Sequence, residues 1–293
     1  MWTRIVTYPE NIFNILYTND EYNILITSMI SRMTRKYPAK CYKKIISMIE
    51  NNSTDRDICL LLTHYYNKFI DLVHANDIIN TQIRADGVAD ILYEICTLLN
   101  INNSMTDNIK YMDIGCNSGS ITASVAKTFK IDLTNTHGID LDNFAGKKII
   151  PNHNINFEYY DGKKIPSSDS TFDLLTCLMV LHHVNDIDYT LGEIYRVLKN
   201  GAIVIVKEHD VDNIMTDYLV YIEHLIYAVT SDKVGYDLHR ETYAQNMLSS
   251  NRLKSIMSRH KFKCLYISDH KFNTKHHGPN INSTYYSVYA KHT

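Results

Sequence analysis

The chain predicts an α/β architecture: a doubly wound, mostly parallel sheet preceded by an all-helical region. Three observations carry this expectation. Through the first hundred residues apolar side chains recur at three- and four-residue spacing, the period of an amphipathic helix. From Lys110 onward, short apolar runs alternate with helical patterns, the rhythm of βαβ units. Between the two lies 100–108, polar and rich in turn-forming residues, and the best boundary in the chain.

Taken in order, helices are expected at 22–33, 39–49, 58–73 and 85–99. Pro38 suits the first turn of the second, and Ser53 followed by Arg56 and Asp57 is an acceptable start for the third. The helix at 85–99 is expected to pack directly on the α/β region after it. Strands are then expected at 110–114, 136–140, 156–160, 172–178 and 202–207, with helices at 120–129 and 189–198 between them. Helices at 215–229 and 250–260 come next, and strands at 263–268 and 284–290 close the chain around a loop at 273–282. The reading divides the chain into a helical cap or lid at 1–104 and a second domain at 105–293, with a helical insert at about 212–248.

Composition excludes several classes. No apolar run approaches the roughly 20 residues that span a bilayer, so no membrane span is expected. The opening residues Met1, Trp2, Thr3 and Arg4 lead to Pro9 without a signal-peptide apolar stretch, and a cytoplasmic protein is the expectation. The six cysteines are scattered with no CxxC, which argues for free thiols rather than a disulfide framework or zinc ribbon. The 14 histidines include the pairs His182-His183 and His276-His277, but no Cys or carboxylate set with ligand spacing accompanies them, and no metal site is expected. Net charge is −2 but uneven: residues 251–293 carry 8 Lys/Arg against a single Asp, while 111–250 carry 11 against 19 acids. The basic end suits either a solvated surface or contact with an anion such as RNA.

The chemistry concentrates at the ends of the expected strands. Tyr111-Met-Asp-Ile-Gly-Cys-Asn-Ser-Gly119 ends one strand and opens a helix. Glycines there let the backbone approach a ligand, and a helix N-terminus offers N–H groups to a carboxylate. Asp113 at the strand end is placed to accept from an ammonium. His137-Gly-Ile-Asp140 ends the next strand with an acid placed to hold two ribose hydroxyls. Asp161, followed by Gly162, ends a third and is placed for an adenine amino group. Ile165-Pro166, then Phe172-Asp173 opening a strand, then Arg196-Val-Leu-Lys-Asn-Gly201 complete the series.

In this order the segments resemble class I S-adenosylmethionine (SAM)-dependent methyltransferases, particularly the type-11 group. The resemblance is close over about 108–210 and looser to the end. It implies a Rossmann-like, seven-stranded sheet with one antiparallel strand. It also implies SAM as cofactor, S-adenosylhomocysteine as product, and Asp113, Gly115, Cys116, Asn117 and Gly119 at the glycine-rich site. Asp140 with Leu141 would hold the ribose, Asp161 with Gly162 the adenine, and Cys177, Leu178 and Leu181 would lie near the sulfonium. Asn117 stands where the family usually carries a middle glycine, and Asn tolerates the left-handed region.

Methyl transfer demands no single catalytic residue. Lys207-Glu-His-Asp210 follows an apolar strand at the sheet end where open α/β folds bind ligands, so Glu208 and His209 are the catalytic candidates. For His182-His183 a role in the following turn is expected. The acceptor is left as a small molecule or RNA. RNA contact is expected, if anywhere, through the basic C-terminal region and the run Arg32, Arg35, Lys36, Lys40, Lys43 and Lys44 with Tyr37 and Tyr42 interleaved. A ribose methyltransferase would be expected to show a Lys-Asp-Lys-Glu set, and the expected strand has Leu174-Leu-Thr-Cys-Leu178 where the Asp would be sought. The competing reading is an inactive, SAM- or RNA-binding subunit of a larger assembly. The extra helices at the start, and the Tyr- and Leu-rich insert, are expected to form a lid over the site.

Overall fold

The structure, a computed structural model, describes residues 8–101, 108–141, 143–144, 147–148, 153–232, 234–243, 246, 248–268 and 284–292. The expected loop at 273–282, and most of the expected boundary at 100–108, lie outside the described residues.

Five helices come first: α1 Ile12–Tyr17, α2 Asn23–Thr34, α3 Ala39–Glu50, α4 Asp55–Lys68 and α5 Ile70–Leu98. Their starts are chemically specified. The Thr54 hydroxyl accepts from the Asp57 N–H, and Asp55 and Asp57 place negative charge in the first turn of α4. The buried Asp55 carboxylate also reaches α1, accepting the N–H groups of Ile12 at 2.9 Å and Phe13 at 3.1 Å. It therefore satisfies orphan donors of a helix far away in sequence. Burial pushes its carboxyl up to about 6, against the pull of those two N–H groups. Spacing predicts helices at 58–73 and 85–99, whereas the chain breaks at Phe69 and then runs as one 29-residue helix.

The sheet comes next as β1 Tyr111–Ile114, β2 Thr136–Asp140, β5 Asn156–Tyr159, β6 Phe172–Leu178, β7 Leu198–His209, β8 Phe262–Ile267 and β9 Thr284–Lys291. A two-residue hairpin, β3 Asn143–Phe144 with β4 Lys147–Lys148, stands apart. Strand order is β5-β2-β1-β6-β7-β9-β8. The first five strands of that order are parallel, and β9 runs antiparallel to both β7 and β8. This is the expected seven-stranded sheet. Strand β7 begins at Leu198, ahead of the expected 202, directly after the last helical residue Val197.

Helices α6 Ser120–Phe129, α7 Ile187–Val197 and α10 Ser250–Arg259 cover the sheet. One face packs Met112, Leu175, Val204 and Tyr289 against α7 and α10. The other packs Tyr111, Leu174, Ile205 and Val288 against α6 and the second half of α5, including Ala89, Leu92 and Ile95. A third core joins α1–α4 to α8 Ile214–Val229, through Ile26, Met29, Ile45 and Leu62 against Leu219, Ile222 and Leu225. The start of the chain is thus tied to the insert: the Tyr8 ring stacks on Tyr221 at 4.0 Å, its hydroxyl donates to Asp217 at 2.9 Å, and Arg32 pairs with Glu223 at 3.2 Å. A shorter helix, α9 Tyr236–Thr242, follows α8. No described helix is long and apolar enough to cross a membrane. All six cysteines are free.

Candidate active site

Asp113 lies in the middle of the sheet, opposite Gly138 on β2 and Thr176 on β6. Its carboxylate is buried and receives two hydroxyls at 2.6 Å, from Thr122 on α6 and Thr176 on β6. Because the Thr176 proton goes to Asp113, the Tyr111 hydroxyl donates to Thr176, at 2.8 Å. Burial pushes the Asp113 carboxyl up to about 6, with both threonines opposing the rise. Asp113 therefore ties β1, β6 and α6 together beneath the turn.

The turn itself climbs through three left-handed residues, Gly115 at φ +71°, Asn117 at +50° and Gly119 at +86°. Asparagine does tolerate the conformation expected of it. Glycine at 115 is dictated by packing as well: a Cβ there would lie 2.3 Å from Val180 Cγ2. The N–H groups of Gly115 and Cys116 both donate to the Ile139 carbonyl, holding the turn against β2. Asp140, at the end of β2, accepts the N–H of Asn117 at 2.6 Å and that of Leu141 at 2.7 Å, one on each carboxylate oxygen. Burial raises its pKa and the two N–H groups lower it. The Asp140 carbonyl takes the Tyr160 N–H at 3.0 Å, and a Cβ on Gly162 would lie 3.2 Å from Leu141. The structure thus brings residues 113–119, 140–141 and 160–162 to one edge, at the carboxyl ends of β1, β2 and β5.

Asp161 is exposed there, and its Oδ1 accepts the Lys163 N–H at 2.8 Å. Cys177 is placed differently. It is fully buried in the sheet core, level with Ile114 and Val206, while Leu178 beside it pairs with Lys207. Leu181 is fully buried too.

Sequence reading missed Thr122 and Thr176. Neither stands out in the sequence, since α6 also carries Ser120, Ser124, Lys127 and Thr128, and β6 also carries Asp173. It also missed Ser120, whose hydroxyl lies 3.0 Å from His153 Nε2, and Ile155, which packs over Gly119 and Gly138.

The carboxyl ends of β6 and β7 hold a second group. Glu208 is completely buried. Its Oε1 accepts the N–H groups of Val180 at 3.1 Å and Leu181 at 2.7 Å, and its Oε2 accepts His182 Nδ1 at 2.5 Å. It therefore fixes the single 3-10 turn Leu181–His183. Burial pushes its carboxyl up to about 7. Around His182 stand three further imidazoles: His183 at 4.0 Å between ring centroids, His209 at 5.4 Å and His224, from α8, at 5.6 Å. Burial holds His182 and His224 below the usual histidine range, and the neighbouring imidazoles push the same way. Asp210 turns to the next element, accepting the Ser250 N–H at 2.8 Å at the start of α10.

Residues 112–206 match the model of a methyltransferase domain family. An O-methyltransferase of Pyrenophora dematioidea is 28% identical over 95 residues, 31% of this chain and 36% of that protein. A sterol 4-C-methyltransferase of Caenorhabditis elegans is 31% identical over 134 residues, 42% of this chain and 39% of that protein. The matched stretches thus span well under half the length of these two relatives. A SAM-dependent methyltransferase structure from Methanosarcina mazei aligns over 66% of this chain and 96% of its own, at 17% identity and a TM-score of 0.46. Residues 112–206 are thus similar to the type-11 methyltransferase domain family whose model they match.

Proposed function

We propose that the chain transfers the methyl group of SAM to a small-molecule acceptor. The observation that carries this reading is Asp140. Its carboxylate is buried at the end of β2 and locked by the Asn117 and Leu141 N–H groups, while each oxygen keeps a lone pair for a ribose hydroxyl. The surrounding residues suit the same group. The turn at 115–119 leads into the N-terminus of a ten-residue helix, which favours a carboxylate.

The bound cofactor supplies a methyl group already activated on a sulfonium. The protein has then to hold, align and keep water out. Asp140 holds the sugar end. Asp113, through Thr122 and Thr176, fixes the turn and the β6 strand relative to each other. Glu208 is proposed as a positioning residue rather than a catalytic one, since all its described bonds go to residues 180–182. His209 lies beside His182 and His224 at the acceptor side and is the candidate to take a proton, where the acceptor has one to lose.

A small-molecule acceptor is favoured over RNA by the state of the basic run near the start. Tyr37 is buried and packs against Tyr65 and Phe69, so its ring is committed to the cap core. Arg32 is paired with Glu223. An active enzyme is favoured over an inactive subunit by the intact carboxylates at 113, 140 and 161.

Calorimetric titration with SAM and S-adenosylhomocysteine tests the cofactor site, with wild type beside Asp140→Ala. The expected result is saturable binding by the wild type, weakened by about 1–3 kcal/mol in the variant as a buried polar partner is lost. A folded wild type that binds neither compound overturns the reading. Transfer of labelled methyl from SAM to small-molecule extract, rather than to RNA, is expected next.

A further inference from the structure

The four imidazoles at the ends of β6 and β7 are more than a packed turn. His182, His183 and His224 each offer a ring nitrogen, and these atoms lie within 4.8 Å of one another. Two of the three rings are already oriented. His182 Nδ1 is engaged by Glu208 Oε2 at 2.5 Å, which leaves Nε2 as the ring nitrogen available to a ligand. His224 Nδ1 donates to the Val220 carbonyl at 2.8 Å, so its lone pair is on Nε2. A carboxylate or a backbone carbonyl on the far ring nitrogen is the arrangement that fixes the tautomer of metal-bound histidines. Nearby, His239 Nε2 and the Tyr243 and Tyr221 hydroxyls are buried without a hydrogen-bond partner among the described residues. The Tyr243 ring lies 5.8 Å from His224 and 4.9 Å from His239. Unpartnered polar groups therefore adjoin the site on the His224 side.

We propose that His182, His183 and His224 form a mononuclear site for a divalent, imidazole-preferring metal ion of the zinc type, with Glu208 and the Val220 carbonyl as the outer partners that orient the ligands. Three neutral imidazoles leave a fourth position open, the pattern of a site that takes water or a substrate atom. Zinc–nitrogen bonds of about 2.0–2.1 Å at tetrahedral angles bring the nitrogens to about 3.3 Å apart. The nitrogens must close from within 4.8 Å of one another, and His183, the exposed member, is the ring with most room to turn. Val180, two residues before His182, packs on Gly115, so the ion would sit alongside the cofactor turn. Its use as an anchor for an oxygen or sulfur atom of the acceptor rests on the methyltransferase reading; the site itself does not.

The test is titration of chelator-treated full-length protein with Zn²⁺ alone, repeated with Co²⁺ to read the visible absorption of the bound ion. One equivalent of Zn²⁺ is expected to bind, and the Co²⁺ spectrum to report a nitrogen-rich, low-coordinate site. His183→Ala and His224→Ala are each expected to weaken binding at least tenfold, and Glu208→Gln by 10- to 100-fold through loss of the outer carboxylate. A change at His64, on α4, is expected to leave affinity unchanged. His183 is exposed, so His183→Ala tests the ligand without disturbing the core, and SAM titration of each variant checks that the fold persists. The proposal is overturned if the wild type does not bind Zn²⁺, or if His183→Ala and His224→Ala bind it as the wild type does. Failure of the wild type to bind SAM would sink the methyltransferase reading while leaving the metal result to stand alone.

Discussion

The carboxyl ends of β1 and β2 and those of β6 and β7 lie on the same edge of one sheet, yet they are assembled by different means. At β1 and β2 several contacts are made within a single βαβ unit, Asp113 with Thr122, Asp140 with Asn117 and Gly115 with Ile139, and the others reach only neighbouring strands and their loops, as from Asp113 to Thr176. At β6 and β7 the histidines come from a turn, a strand end and α8, and α8 is also the helix on which the cap core is built. The first site is a local consequence of the sheet. The second exists only when the insert docks against the sheet and the cap docks against the insert.

This difference can be broken from either side. The largest effect is expected at Gly115. An alanine there must hold φ +71° and place a Cβ 2.3 Å from Val180. Left-handed strain and overpacking together are expected to cost about 3 kcal/mol. A fall in the urea midpoint, with loss of measurable SAM binding, checks it. A tolerated alanine with wild-type affinity would show that the turn is not packed as described.

Asp113 gives the next effect, and its sign follows from burial. The folded-state pKa is raised to about 6, against about 3.9 for an unperturbed aspartate. The fold therefore favours the neutral acid. That stabilisation is complete below about pH 4 and is lost as pH rises through about 6. Asp113→Asn carries no titrating group, so its stability relative to wild type is expected to rise between pH 4 and pH 7, by up to about 3 kcal/mol. Unfolding curves at a series of pH values measure the difference. A pH-independent difference would mean that the Asp113 carboxyl titrates at its ordinary value.

The smallest effect separates the regions most cleanly. Asp55→Ala removes the acceptor for the Ile12 and Phe13 N–H groups and leaves α1 uncapped. The expected cost is about 1–2 kcal/mol, seen as a lower melting temperature. Affinity for SAM should be unchanged, because no residue of α1–α4 is among the described hydrogen-bond partners of Asp113, Asn117 or Asp140. Should SAM affinity fall in step with stability, the two regions would be energetically one.

The same contrast between local and long-range assembly decides what was legible in the chain. Asp113, Gly115, Gly119, Asp140 and Gly162 stand at strand ends whose positions follow from hydrophobic alternation, so their convergence could be inferred from order alone. Thr122 and Thr176 were not legible, because a threonine in an apolar run looks the same whether or not its hydroxyl meets a carboxylate. Glu208 stands out as a polar residue after an apolar strand, and is expected on that ground to face a substrate. The structure instead buries it under the 180–182 backbone. The histidines defeat reading by spacing altogether. Metal-ligand patterns are recognised by short intervals, and His224 reaches His182 and His183 only across the fold.

The sequence by itself determined the parallel sheet, the acids and glycines at the carboxyl ends of β1, β2 and β5, and the helical character of the first hundred residues. All of these depend on local period, on turn chemistry or on strand order, which the chain states residue by residue. Only the tertiary structure decided that α5 is continuous from Ile70 to Leu98, that α8 shares a core with α1–α4, and that four imidazoles meet beside Glu208. These outcomes depend on which apolar faces find each other. Several helices with similar stripes satisfy the same local pattern, and the choice among them is made by close packing over long separations in the chain.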